Sequence, residues 1–341
     1  MARLSPLPGW PALIFYVLFL SGNPAGMAAQ SPGQSDRIKI IIDTDIGEDI
    51  DDILVTAFAL NSPEFEILAI TVVDGDVAAR SRITRKLTQL YGRPDIPVAA
   101  GYVWDMPLPD YPPWPGSGGL TQRELAPAEE GLPAGSQFRA DELIARLADK
   151  YPDQVYLVTF GSMTNVGQLL VRFPQQAARL KGIVTSHNLE VDPVAAAITL
   201  RSEVPWVFLS ARNISPAVTV GPAEVERIRR AGLPSADYLA RAIDLWYENK
   251  PDHSQYPHLA DLCALAYLLG GWFPTYRGNF SITVPTRLYR TEYKRIEWSI
   301  EENPDGRVTF GREMTAEKGA ELNALFMERI LASPAARKDK R

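Results

Sequence analysis

The chain has 341 residues, 46% of them apolar and 22% charged, an ordinary globular composition that excludes a low-complexity or disordered protein. Its formal net charge of −6 gives no general attraction to nucleic acid or to an anionic membrane face, and the only run of like charge is a short basic tail at residues 337–341. With one cysteine, Cys263, no internal disulfide can form, and its place in an apolar helical run marks it as core.

Residues 1–29 have the pattern of a signal peptide. Arg3 gives a weakly basic start, residues 12–20 are apolar, and residues 21–29 turn small and polar, with cleavage expected near Ala28 or Ala29. The apolar run is too short to span a bilayer comfortably, so a secreted or periplasmic protein with no stable membrane span is expected. A Ser/Gly/Gln linker follows at residues 30–36, and the fold is expected over residues 37–335, with a basic tail at 336–341.

In chain order, residues 38–42 form a β-branched run opening onto acidic residues, the mark of a buried parallel strand. Residues 53–60 have helical spacing, 65–73 read as a strand, 77–91 as a helix with a basic outer face, and 96–100 as a third strand. Residues 102–136 break the rhythm. They are dense in Pro and Gly and carry Trp104, Tyr111 and Trp114, as a packed functional loop would. The alternation resumes with helices at 141–150, 164–173 and 193–201 and strands at 155–160, 183–186 and 206–210. Segments at 222–248 and 259–270 read as helices, 280–284, 296–301 and 308–312 as a terminal antiparallel group, and 316–331 as a closing amphipathic helix. This order predicts one α/β domain, an open and mostly parallel sheet flanked by helices, with right-handed crossovers. Ligands bind such sheets beyond the carboxyl ends of the strands, which puts residues 43–52, 74–76, 161–165 and 186–192 on one rim.

The segment Asp43-Thr-Asp-Ile-Gly-Glu-Asp-Ile-Asp-Asp52 places six carboxylates in ten residues. Asp49 or Asp51 can cap the helix that follows, but capping needs one or two acids. Unneutralised, the rest repel and raise one another's pKa. An all-oxygen cluster suits Ca²⁺ or Mg²⁺ rather than zinc or copper, and the spacing is not that of an EF-hand.

The same segment resembles the amino-terminal signature of the nucleoside hydrolase family, in the variant with two extra residues before the paired aspartates. The resemblance continues in order through Thr71-Val-Val-Asp-Gly-Asp76, Phe160-Gly-Ser-Met-Thr-Asn165, His187-Asn-Leu-Glu-Val-Asp-Pro193 and Ala260-Asp261. It implies that family's Rossmann-like fold and metal-dependent hydrolysis of the N-glycosidic bond of ribonucleosides, giving ribose and free base. It also implies a Ca²⁺ (or Mg²⁺) held by Asp45, Asp52, the main-chain carbonyl of Thr164 and Asp261, with Asp45 as the base that takes a proton from the attacking water. Asp51, Asp76 and Asn188 are implied as ribose contacts, with His187 beside them as a further substrate contact. A homo-oligomer and a small-molecule nucleoside partner follow from the same resemblance.

Three positions depart from the family pattern. Ala260 stands where many members carry a histidine that assists the departing base, Ser186 where a glutamate often reaches the ribose, and Trp114-Pro-Gly-Ser-Gly-Gly-Leu120 lacks the histidine of the corresponding loop. Ser186 is expected to reach a ribose only through water. His187, His253 and His258 are the chain's three histidines and the candidates for a substitute acid. Trp246 and Tyr247 have the spacing of core residues, although they or Tyr256 could stack on a base. Two other readings stay open: hydrolysis of another N-ribosyl compound, and a ribosyl-binding protein that has lost turnover. A phosphatase with an aspartate nucleophile after its first strand fits poorly, since it would want a lysine and a different acidic partner.

Overall fold

A computed structural model describes residues 37–103, 120–186, 188–209, 214, 218–249, 256–283 and 297–334. The expected signal segment, linker and basic tail lie outside these residues, as do Trp104, Tyr111, Trp114, His187 and His253. Among the described residues, no helix is long and apolar enough to cross a membrane.

The first strand explains the layering. In β1 (Ile38–Thr44), Ile40 and Ile42 pack into one apolar cluster and Ile41 into the other, so the strand is covered on both faces. That is why it reads as a continuous β-branched run rather than an alternating one. β2 (Phe65–Val72), β3 (Val98–Ala100), β4 (Val155–Thr159), β5 (Gly182–Thr185) and β6 (Trp206–Phe208) join it in parallel. Three carboxy-terminal strands, β7 (Thr275–Thr283), β8 (Glu297–Glu302) and β9 (Val308–Gly311), complete a nine-stranded sheet of order β3-β2-β1-β4-β5-β6-β9-β7-β8.

Helices α1 (Ile50–Asn61), α2 (Val77–Leu90), α8 (Pro234–Asn249), α9 (Leu262–Leu269) and α10 (Ala316–Ile330) feed one core cluster. On the other face lie α3 (Ala140–Lys150), α4 (Thr164–Arg172), the short α5 (Pro174–Ala177) and α6 (Pro193–Arg201). The remaining helix, α7 (Pro222–Arg229), packs against α8.

Strand order reverses beside β1: the chain runs outward through β2 and β3, then returns to place β4 on β1's other edge. In open α/β sheets a crevice forms at such a switch point, outside the carboxyl ends of the strands. The residues that follow β1 and β4 are the acidic loop and the 160–165 turn.

The three terminal strands form the expected antiparallel group, β7 running antiparallel to both β9 and β8, and β9 joins them to the rest of the sheet by pairing in parallel with β6. Two expectations are corrected. The span 222–248 is two helices, broken where Gly232 takes a φ of +66° ahead of Pro234. The helix at 77–90 does not carry its basic residues only on an outer face, since Arg80 and Arg85 are both buried.

Candidate active site

The acidic loop takes its shape from the end of β1 and the start of α1. Asp49 caps α1, accepting the Ile50 amide at 2.8 Å, and Asp51 and Asp52 fall in the first helical turn, where the helix dipole favours negative charge. Gly47 turns the loop with a φ of +101°, and a Cβ there would meet Leu120 Cδ1 at 2.7 Å, so glycine is required twice over. The loop is bracketed from outside. Thr121 Oγ1 donates to the Glu48 carbonyl at 2.6 Å, Gln122 Nε2 to the Asp49 carbonyl at 3.0 Å, and the Trp246 indole N–H to Asp49 Oδ1 at 2.6 Å.

Facing it is the turn after β4. Phe160 donates its amide to the Asp43 carbonyl at 2.7 Å, and Gly161 lies so close that a Cβ would stand 2.9 Å from the Asp45 amide nitrogen. Asn165 Nδ2 donates to Asp43 Oδ1 at 2.7 Å, which Thr71 also contacts through its hydroxyl. Thr164 begins α4, and its hydroxyl donates to Asp192 Oδ2 at 2.8 Å. Asn188 holds a left-handed φ of +65° and donates Nδ2 to the Phe160 carbonyl at 2.8 Å; Asp74, after β2, has φ +63°. Non-glycine residues in that region mark local strain, and these two share one rim.

Asp261, at the start of α9, closes the group from a distant part of the chain. Carboxylate oxygens of Asp51, Asp52 and Asp261 lie within 4.8 Å of one another, and all three residues are buried. Asp45 lies beside Asp52, whose charge helps to raise its pKa, and Asp52 accepts the Thr44 hydroxyl. Ser186 Oγ donates to Asp261 Oδ1 at 2.6 Å. The serine therefore orients a carboxylate of the cluster directly.

Burial dominates the electrostatics. It raises the pKa of Asp45, Asp51, Asp52 and Asp261, and their mutual repulsion raises them further. Burial likewise lifts Asp43 to about 7 and Glu48 to about 8. Asp45 Oδ1 is buried and accepts no hydrogen bond among the described residues. A buried acceptor oxygen beside three crowded carboxylates fits a hard divalent cation.

Without a cation, the folded chain holds protons that the unfolded chain releases above pH about 4, so folding stability falls as pH rises from about 5 to 8. Thermal unfolding across that range is expected to show this decline, and millimolar Ca²⁺ to remove it. A cation-free melting temperature that rises with pH would contradict the cluster's electrostatics.

Asp45, Asp51, Asp52 and Asp261 thus come together, with Thr164 at the neighbouring helix start. Asp76 sits at the same rim, but its carboxylate is engaged by the Ala79 amide at 2.9 Å and by Arg123 Nη1 at 2.9 Å. Ala260 is half-buried, and His258 is half-buried in a backbone bridge to Thr219. Trp246 is core, as its spacing suggests, and also anchors the acidic loop. Tyr256 is exposed and Tyr247 half-buried. The parts the sequence reading missed are Arg80, the 121–122 bracket and the Ser186–Asp261 bond. Arg80 had a visible signal: it shares the stripe of Ala79, Ile83 and Leu87 on α2.

Residues 40–328 match the family model for inosine-uridine preferring nucleoside hydrolases. The pyrimidine-specific ribonucleoside hydrolase RihA of Klebsiella pneumoniae (strain 342) is 31% identical over 257 residues, covering 68% of this chain and 79% of the relative. That of Salmonella paratyphi A is 32% identical over 256 residues, with the same coverage. In fold, the chain is similar to a purine-preferring ribonucleoside hydrolase from Gardnerella vaginalis (TM-score 0.68, 21% identity, 87% of this chain and 99% of that one). It is also similar to an inosine-uridine preferring nucleoside hydrolase from Bacillus anthracis (TM-score 0.64, 14% identity, 85% and 99%).

Proposed function

The chain belongs to the inosine-uridine preferring nucleoside hydrolase family and is an enzyme that hydrolyses N-glycosidic bonds, and from that premise we propose a divalent-cation-dependent hydrolysis of ribonucleosides to ribose and free base. The observation that carries the proposal is the meeting of Asp51, Asp52 and Asp261 within 4.8 Å, with Asp45 beside Asp52, at the switch point of the sheet.

Asp45, Asp52, Asp261 and the Thr164 carbonyl would hold the cation, Ca²⁺ in preference to Mg²⁺ because the ligands are protein oxygens, whereas Mg²⁺ keeps several of its waters. A bound divalent cation supplies Lewis acidity there, making water easier to deprotonate and neutralising the crowded acids. Asp45 takes the proton of the attacking water, its aim fixed by Gly161 on one side and Asp52 on the other. Asp51 and Asn188 hold the ribose hydroxyls, and Asp76 does so once it turns from Arg123. Carboxylates around the anomeric carbon stabilise the positive charge of an oxocarbenium-like transition state. Water attacks opposite the base, so the anomeric configuration inverts. His187 adjoins Asn188 in sequence and is assigned to the substrate side of the site.

The side chain at position 260 is a methyl group and donates no proton. This favours, as a second reading, N-ribosyl compounds whose leaving group departs without help. We extend the proposal to export through the segment 1–29 and to self-association of the folded chain.

Ribose release from a panel of purine and pyrimidine ribonucleosides, with Ca²⁺ and with chelator, tests the reading. Release is expected, and chelator is expected to abolish it. Calcium uptake with no ribose release from any member of the panel would overturn nucleoside hydrolysis.

A further inference from the structure

Arg80 has no part in the chemistry above, yet it is the most thoroughly engaged side chain near it. It is fully buried on α2. Its Nε donates to the Asp74 carbonyl at 2.9 Å, Nη1 to the carbonyls of Asp45 and, at 2.9 Å, Ile46, and Nη2 to Glu48 Oε2 at 3.1 Å. One guanidinium thus ties the acidic loop after β1 to the loop after β2. No other residue type offers five donors in a rigid fork together with a permanent charge.

Its grip falls on the peptide that matters. The Asp45–Ile46 peptide gives its carbonyl to Arg80 and its N–H to Thr44 Oγ1 at 3.1 Å. That hydroxyl in turn donates to Asp52. The main chain of Asp45 and the carboxylate of Asp52 are therefore wired to the same buried cation. Left to themselves, six carboxylates in ten residues would spread the loop by repulsion, and a divalent cation would have to order it on arrival.

We propose that Arg80 is a positioning residue that holds the acidic loop in its cation-binding shape before a divalent cation arrives, and thereby sets both the affinity for the cation and the aim of Asp45. The proposal rests on the metal-dependent hydrolase reading and goes beyond it. Pre-organisation removes the ordering penalty from binding, so loss of the clamp raises the dissociation constant. The contacts of Arg80 fall on Asp45, Ile46, Glu48 and Asp74, so substrate binding is expected to change little.

Arg85 supplies a matched control. It too is buried on α2, but it bonds the Pro133 carbonyl and Glu129 Oε1, each at 2.6 Å, away from the acidic loops. Calcium binding to Arg80→Lys and Arg85→Lys is measured by calorimetry from cation-free protein, and kcat and KM for a cleaved ribonucleoside at saturating Ca²⁺. Arg80→Lys is expected to weaken Ca²⁺ by about 10–100-fold, the range for a lost supporting contact, and to lower kcat with KM within about threefold. Arg85→Lys is expected to leave all three within about threefold. A folded Arg80→Lys protein that binds Ca²⁺ like the wild type overturns the proposal, as does equal weakening by Arg85→Lys.

Should Arg80→Lys fail to fold, amide exchange at Ile46 in the cation-free wild-type protein decides. Strong protection that Ca²⁺ deepens by less than about tenfold supports a pre-formed loop, and exchange at open-chain rates refutes it. Absence of ribose release would count against the hydrolase reading alone, because calcium affinity and amide exchange still judge Arg80.

Discussion

Asp45→Asn is expected to lower kcat for ribose release by about 10²–10⁴-fold at saturating Ca²⁺, with KM within a few-fold of wild type. Asparagine keeps the volume and one carbonyl oxygen, so the packing against Gly161 survives while the proton acceptor is lost. Its neighbours make the effect specific. Arg80 holds the main chain of Asp45, so the asparagine is expected to occupy the same place. Single-turnover measurements at several Ca²⁺ concentrations separate this loss from any weakening of cation binding. If kcat at saturation stays within tenfold of wild type, Asp45 is not the base.

For Asp261→Asn two effects of opposite sign are expected. Calcium affinity should fall by more than about 100-fold, beyond what losing an outer contact does, because a direct carboxylate ligand is lost. The cation-free protein at pH 8 should instead melt higher, by roughly 2–4 °C for each kcal/mol of repulsion relieved. Repulsion from Asp51 and Asp52 acts on Asp261 in addition to its burial, while the Ser186 bond can pass to the asparagine carbonyl oxygen. Calorimetry and thermal unfolding read the two effects on one sample. A variant that melts lower without the cation would show that the cluster is not electrostatically strained.

Much of this site was legible because its chemistry is concentrated. Six acids in ten residues after a β-branched run mark an acidic site loop on a buried strand, and the switch-point rule brings the turn after β4 beside it. Residues whose role depends on a contact between distant segments were not legible. Arg80 looked like one of four basic residues on a surface helix, although its position on the Ile83–Leu87 stripe argued for burial. Ser186 gave no sign that its partner was Asp261, 75 residues away. The parallel pairing of β9 with β6 was hidden for a similar reason. Nothing in residues 308–311 says that their neighbour is β6, since strand pairing is decided by the packing of the whole sheet.

The Asp51–Asp261 pair joins positions 210 apart in the chain, and β4 must already lie on β1 before Gly161 can reach Asp45. The cradle is therefore a product of topology and exists in no fragment of it. A divalent cation cannot nucleate such a fold, because contacts of high sequence separation form after the loops between them have closed. In the proposed mechanism it is a latch on a finished sheet. Until then the carboxylates at the end of β1 are tolerated by protonation and by one arginine. Under the proposed cation-dependent mechanism, maturation ends in an ion exchange, in which protons leave the cluster as the divalent cation enters.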